Sequence, residues 1–282
     1  MDININGKIF DAEEGTISFD DRSFRYGDGL FETMKIVDGK ILLESFHFDR
    51  LLRGLNILKF EIGELFLADK FYTEIIQLCE KNNCLSLARV RLTLSRGDGN
   101  LYDFTNPFNY VIEARSLTEK EQSNEGITIG VFPDARKSCD IFSNLKSSNF
   151  LPYVMAAKFA IENEWDDCLV LNVHGRICDS TISNVFWVKD EMIFTPPLSE
   201  GCIDGVMRRF LLEMIRDMGY EIRELACEII DLQYADEIFL TNAIRGIRPV
   251  KRLAGKIYST KISKVLSEHL ATSTIQFYER KS

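Results

Sequence analysis

Histidine is scarce in this chain of 282 residues: there are three, His47, His174 and His269. None has a second histidine four residues on, so a helix-borne metal pair finds no support and no metal is expected. No G-x-S-x-G elbow precedes a helix, which removes the usual signature of a serine hydrolase. The seven cysteines, at positions 79, 84, 139, 168, 178, 202 and 227, form no C-x-x-C pair. An odd, scattered set reads as reduced thiols and points to the cytoplasm. Long apolar runs are missing too: none approaches the ~18–20 residues of a membrane span. Residues Met1 to Gly7 lack the basic and apolar regions of a signal peptide. Cationic excess is also absent. The net charge is −9, so neither a nucleic-acid surface nor a membrane partner is expected. No internal repeat or low-complexity tract appears.

What remains is a globular α/β pattern, with 45% apolar residues to fill a core and length for one large or two ordinary domains. Asp2 to Phe10 alternates around Asn6-Gly7, a hairpin signal. Phe24 to Val37 reads as a glycine-punctuated turn (Gly27, Gly29) feeding a strand, and Asp38-Gly39 turns the chain into another, Lys40 to Leu43. The glycines there permit close approach by a ligand or a backbone, or simply a turn. Helical spacing covers Ser45 to Phe60 and about Leu65 to Lys81. Ala88 to Ser95 alternates strictly, with Arg89, Arg91, Thr93 and Ser95 on one face. Those arginines fit a solvated edge strand or an anion-capturing guanidinium. Phe108 to Ala114 is a further strand. The polar stretch 118–125 is the best linker, which sets a smaller α/β domain over 1–117 and a larger one over 126–282. In the second half, Gly126 to Phe132, Asp167 to Val173, Arg176 to Cys178, Val185 to Lys189, Met192 to Thr195 and Ala235 to Leu240 read as strands. A helix opens after Gly205 with Asp204 as its N-cap, and another spans Thr260 to Tyr278.

The chain is organised around Lys146, in Asn144-Leu145-Lys146-Ser147-Ser148-Asn149-Phe150-Leu151-Pro152. A helix follows, and Pro152 suits its first turn. A lysine in a pocket can lose its charge by desolvation and act as a nucleophilic amine; on a surface it is one solvated lysine among many. Elsewhere lie groups suited to a phosphate-bearing cofactor. The helix from Val206 offers N–H groups and the positive end of its dipole. Gly205 permits close approach, Thr241 and Asn242 end a strand, and Arg50 carries charge.

Five motifs, in order and spacing, resemble the class IV aminotransferases. They are Tyr26-Gly27-Asp28-Gly29-Leu30-Phe31-Glu32-Thr33, His47-Phe48-Asp49-Arg50-Leu51, Lys146-Ser147-Ser148-Asn149, Asp179 through Asn184-Val185-Phe186-Trp187, and Asp204-Gly205-Val206-Met207-Arg208-Arg209-Phe210. The resemblance covers roughly residues 3 to 250. It implies a pyridoxal 5'-phosphate enzyme of fold type IV, D-amino acid aminotransferase-like. Two α/β domains would hold the cofactor in the cleft between them, in a homodimer acting on a small-molecule amine. Lys146 matches the lysine that bonds to the cofactor's aldehyde and later moves the proton. Arg50 matches the phosphate arginine, Val206 and Met207 the amide donors to phosphate, and Thr241 and Asn242 the second phosphate loop. Ser183 falls on a cofactor-binding position, and Tyr26, Phe31, Thr33 and Arg91 on substrate positions. Asp179 stands where the family usually has glutamate. That acid pairs with the pyridine nitrogen, whose proton helps the ring take up negative charge, and aspartate is one methylene shorter.

Within the family the reactions diverge after proton removal. Phe31-Glu32-Thr33, Ile182 to Trp187 and Ile203 to Val206 look closest to 4-amino-4-deoxychorismate lyases, which release pyruvate and 4-aminobenzoate for folate biosynthesis. Arg91 matches a basic position there that would hold a substrate carboxylate. After Ser95-Arg96-Gly97-Asp98-Gly99 the chain continues into Asn100-Leu101-Tyr102 without a further basic residue, which some lyases carry there. The alternatives are a branched-chain or D-amino acid aminotransferase and a non-catalytic relative that keeps the fold.

Overall fold

The computed structural model describes residues 1–61, 68–103, 108–118 and 126–279, with side chains up to residue 272. The linker expected over 118–125 therefore lies, from 119 on, outside the described residues, as does the expected helix start at Leu65. The chain divides into two compact units. One comprises Met1–Gln122 with Leu145–Asn149, the other Ser123–Asn144 with Phe150–Ser282.

The first unit is a six-stranded antiparallel sheet covered by helices. Its strands are β1 (Asp2–Ile5), β2 (Lys8–Asp11), β3 (Gly29–Val37), β4 (Lys40–Ile41), β5 (Leu87–Ser95) and β6 (Asn109–Ser116), in the order β2-β1-β6-β5-β3-β4. The Asn6-Gly7 turn forms, with both residues at positive φ and Ile5 opposite Lys8. Between β2 and β3 the structure places a short helix, α1 (Arg22–Tyr26), where the sequence suggested only a turn. Asp21 caps it by accepting from the amides of Ser23 and Phe24, and Gly27, at φ 70°, ends it in the left-handed conformation. Helices α2 (Glu44–Ile57) and α3 (Ala68–Lys81) pack Leu51, Leu55, Ile75 and Leu78 against Val90, Leu92 and Ile112. Strand β5 is not at an edge: β3 and β6 pair with it on either side.

Gly29 shows why glycine opens β3. A Cβ built there would stand 2.4 Å from the Leu94 carbonyl oxygen, so the close neighbour is backbone rather than ligand. Backbone in a paired strand cannot swing aside as a side chain can. Gly29→Ala should therefore destabilise the protein by about 1–3 kcal/mol, the usual cost of overpacking. A urea midpoint equal to the parent's would show that the strand yields freely.

The second unit is built on a nine-stranded mixed sheet, among the described residues. Its strands are β7 (Ile127–Lys137), β8 (Asp167–Asn172), β9 (Ile177–Ser180), β10 (Asn184–Lys189), β11 (Met192–Thr195), β12 (Ile222–Glu224), β13 (Glu237–Asn242), β14 (Gly246–Leu253) and β15 (Lys256–Ile257). The path runs β12-β11-β10-β13-β14-β7-β8-β9, with β15 on β14. A further pairing of β9 with β10, Asp179 opposite Asn184, closes six of these strands on themselves. Closure removes the free edge of β9 and leaves β12 as an edge strand among the described residues. It also fixes the two closing residues against each other. Strand β8 is buried throughout: Cys168 and Val170 face one cluster, Leu169 and Leu171 the other. Alternate residues point to opposite sides of a sheet, which explains that split.

Strand β7 continues to Lys137, past the end at Phe132 that the sequence suggested. Pro133 breaks the apolar run, but the ladder only shifts register between Val131 and Arg136 and then resumes. Such irregularities are where a sheet tolerates proline. Helix α4 (Leu151–Glu162) carries proline in its first turn. Helix α5 (Val206–Asp217) starts from Gly205, not Asp204, and no side chain caps it. Besides α1, four elements escaped the sequence pattern, β12, β14, β15 and the six-residue helix α6 (Ile229–Tyr234), as did the single helical turn Leu198–Glu200; α7 (Lys261–Glu279) is the last helix. All seven cysteines are free thiols. Among the described residues no helix is long and apolar enough to cross a membrane.

Candidate active site

In the first unit the site residues hang on two strands, one helix and the Lys146 stretch. That stretch is laid against β3: the Phe31 amide donates to the Lys146 carbonyl at 2.9 Å, and the Ser148 amide to the Gly29 carbonyl at 2.9 Å. Ser147 forms a bridge with Leu30. Phe31 and Thr33 share one face of β3, and Glu32 points to the other. The Phe31 ring receives two cations. The Arg91 guanidinium lies 3.8 Å from its centroid and the Lys146 Nζ 4.4 Å. Thr33 is the cross-strand partner of Arg91. Arg91 also donates from Nε to Thr93 at 3.1 Å. Burial lowers its pKa, with Glu113 opposing that fall; a guanidinium keeps its charge regardless. Tyr26 lies apart from this trio in its contacts: it ends α1, with Arg22 and Arg25 over its ring.

Behind β3 lies a buried polar network that the sequence did not announce. Glu32, His47 and Arg50 are 1%, 0% and 8% exposed. Arg50 donates to Glu32 from Nε at 2.8 Å and from Nη2 at 2.5 Å, and His47 Nδ1 stands 2.6 Å from the same carboxylate. Burial alone would raise the Glu32 pKa, but Arg50 and His47 outweigh it and hold it at about 2. Burial also lowers the His47 pKa, against the pull of Glu32. The ring is then neutral, and its Nδ1 must carry the proton, because an ionised carboxylate only accepts. The Arg50 charge, expected to serve a phosphate, is thus also the counter-charge of Glu32.

The second unit holds the acid. Asp179 is 2% exposed, on β9 at the closure of the barrel. Its Oδ2 accepts from the Tyr153 hydroxyl at 2.8 Å, the Ile203 amide at 3.0 Å and the Lys137 ammonium at 3.1 Å; its Oδ1 accepts from Asn184 Nδ2 at 3.0 Å. Burial, and then the charge of Asp179, raise the Tyr153 pKa, so the phenol stays a neutral donor. Asn184 also donates to the Ile203 carbonyl at 2.8 Å. It occupies the space over Gly205, where a Cβ would come within 1.9 Å of Asn184 Oδ1. The close approach that glycine permits here is again made by protein.

Around the same strand ends lie donors with little to donate to. The amides of Val206 and Met207 open α5, where no intrahelical carbonyl precedes them and no side chain caps them. Thr241 pairs across the ladder with Asn184, and its buried hydroxyl has no hydrogen-bond partner among the described residues. Asn242 Nδ2 donates to Ser183 Oγ at 3.0 Å. Such a donor set suits an anion bearing several acceptor oxygens.

Residues 29–253 match the amino-transferase class IV family model. The chain belongs to the class IV aminotransferase family. The family's enzymes depend on pyridoxal phosphate, and the fold agrees. A branched-chain aminotransferase of Thermoproteus uzoniensis, solved with norvaline, superposes with a TM-score of 0.89 over 98% of this chain and 95% of that one, at 21% identity. An aminodeoxychorismate lyase of Bacillus subtilis is 29% identical over 290 residues, covering 99% of this chain and 94% of its own. A Methanocaldococcus jannaschii chain, provisionally named a branched-chain-amino-acid aminotransferase, is also 29% identical, over 279 residues, with 95% and 94% covered.

Motif reading in the sequence names Lys146, Asp179 and the phosphate donors as candidates. It missed Glu32, His47, Lys137, Tyr153 and Asn184 as working side chains. A signal for two of them was present: Glu32 alternates with Phe31 and Thr33, and His47 precedes Arg50 by three residues, which puts both on one helix face. Lys137 and Tyr153 carried none, since one lies beyond the apparent end of its strand and the other on an apolar helix.

Proposed function

We propose that the protein is a pyridoxal-phosphate-dependent 4-amino-4-deoxychorismate lyase. By the roles its family motifs imply, Lys146 would bond to the cofactor's aldehyde and Asp179 would meet its ring nitrogen. The Val206 and Met207 amides, Thr241, Asn242, Ser183 and Arg50 would hold its phosphate. The uncapped helix start and the unpartnered Thr241 hydroxyl support this fit. When bound, pyridoxal phosphate supplies a ring that withdraws electrons from the substrate carbon next to the amine.

One observation carries the substrate class: Arg91 and Lys146 lie against the same Phe31 ring. A cation fixed near the reactive amine suits a substrate that carries carboxylates. In the proposed reaction Lys146 takes the proton from the substrate carbon bearing nitrogen. The C–H electron pair becomes a ring double bond, and the neighbouring C–O bond breaks with its electrons going to oxygen. The departing enolate gains a proton as pyruvate, and the six-membered ring is left aromatic as 4-aminobenzoate. Atoms and electrons balance without oxidant, reductant or second substrate.

The second reading is an amino acid aminotransferase, which the Methanocaldococcus relative supports at equal identity. The two part over the fate of the cofactor. A lyase returns it unchanged; an aminotransferase stops after one half-reaction until a keto acid arrives. Purified enzyme given 4-amino-4-deoxychorismate alone should form pyruvate and 4-aminobenzoate over many turnovers. Arg91→Ala should then raise KM by about 10- to 100-fold with a smaller effect on kcat, as expected for a charged binding contact. No pyruvate from that substrate, with a single-turnover spectral change on an amino acid that 2-oxoglutarate reverses, would leave the aminotransferase reading in possession.

A further inference from the structure

The two oxygens of Asp179 are loaded unequally. Oδ2 accepts from three donors, Tyr153, Ile203 and Lys137, whereas Oδ1 accepts from Asn184 alone. A carboxylate oxygen offers about two lone-pair directions. Oδ2 is therefore filled, and Oδ1 is the atom with room for one more donor. The full set of donors also fixes the carboxylate's orientation, so a shorter acid than glutamate cannot swing to seek a ligand. Lys137 differs from the other three in bringing a charge. Its ammonium is 3.1 Å from Oδ2, with the two side chains 11% and 3% exposed, so water does little to screen the pair.

We propose that Lys137 is a positioning residue that weakens the hold of Asp179 on the proton of the cofactor's ring nitrogen. The inference rests on the reading that Asp179 faces that nitrogen. The nitrogen would meet Oδ1 of a carboxylate whose charge is already paired at Oδ2. It keeps its proton less firmly there than against an unpaired acid. A ring that is less often protonated draws less negative charge away from the substrate carbon after Lys146 has taken its proton. Charge retained at that carbon favours expulsion of a neighbouring leaving group over proton delivery to the cofactor, which is the difference between a lyase and an aminotransferase. The resting place of Lys137 is itself set by backbone: the register shift in β7 after Val131 carries the strand on to this residue, beside β8.

The test is a nitrogen spectrum rather than a rate. Holoenzyme is loaded with cofactor carrying ¹⁵N in the pyridine ring, and the resonance is recorded at one fixed pH for parent, Lys137→Met, Lys137→Gln, Lys137→Arg and Asp179→Asn. Removing the ammonium should move the resonance toward the protonated pyridinium position in both neutral variants, by at least about a tenfold change in the protonation ratio, one pKa unit. The arginine variant keeps the charge and should stay with the parent. Asp179→Asn should move the resonance the other way. If the two neutral variants match the parent while Asp179→Asn shifts, Asp179 faces the ring and the role given to Lys137 is wrong. If Asp179→Asn leaves the resonance in place, the underlying assignment of Asp179 fails. Should Lys137→Met not fold, Lys137→Gln still decides, because it keeps a hydrogen-bond donor and loses only the charge.

Discussion

Lys146→Ala is expected to lower turnover by at least about 10³-fold, since it removes both the nucleophilic amine and the group that moves the proton. The fold should survive. What holds this stretch to β3 is main chain: the Lys146 carbonyl accepts from the Phe31 amide and the Ser148 amide donates to Gly29. Alanine supplies the same carbonyl. The side chain itself runs to the Phe31 ring, with Nζ 4.4 Å from the centroid, and such a cation–ring contact contributes about 0.5–2 kcal/mol. A large fall in rate should therefore come with a small change in urea midpoint. Borohydride gives a second measurement. Parent holoenzyme should gain the mass of one reduced cofactor, mapped to the peptide holding Lys146, and the variant should gain none. Equal labelling of the variant would move the role to another lysine.

How far the sequence led can be judged from single residues. The elements that carry Lys146, Val206, Met207 and Thr241 were legible because local backbone patterns mark them. Short polar residues before a proline-opened helix, a glycine before an amphipathic helix and a polar strand end are all local patterns. Asp179 was legible only through its motif, and its surroundings were not. Tyr153 lies 26 residues before it and Lys137 lies 42 before it, and both meet it only through the tertiary fold of the unit. No window of helical or strand periodicity spans such separations. Glycines 29 and 205 were recognised as places of close approach, but the partners proved to be Leu94 and Asn184. An edge strand was one meaning of the alternation in 88–95. The alternation gives the two faces of a strand and says nothing of its two sides, and both sides of β5 are paired.

Glu32→Gln should destabilise the protein by about 3–5 kcal/mol, the usual cost of breaking a buried ion pair from one side. The amide keeps the shape of the carboxylate and offers one oxygen, but it has no charge to set against Arg50, which is 8% exposed. It also turns one former acceptor into a donor, facing Arg50 and His47, which already donate to it. Against a total stability of roughly 5–15 kcal/mol, that is a large fraction, and the urea midpoint should fall accordingly. The same carboxylate makes a prediction in pH. Its pKa is lowered in the folded protein from the usual 4.5 to about 2. A depressed acid stabilises the fold fully above its unfolded pKa, and that stability is lost as pH falls from about 4.5 to about 2. At 1.36 kcal/mol per pKa unit the loss is about 3 kcal/mol. Other carboxylates titrate in the same range, and buried His47 destabilises the fold on acidification below its ordinary pKa in either protein. The informative quantity is the parent's stability minus the variant's, followed from pH 6 downward. It should shrink through this window and be nearly gone near pH 2. Glu32→Leu with Arg50→Met, which removes both charges, should recover much of the stability lost in Glu32→Gln. A single variant within 1 kcal/mol of the parent, or a difference that stays flat with pH, would mean that Arg50 finds its counter-charge elsewhere.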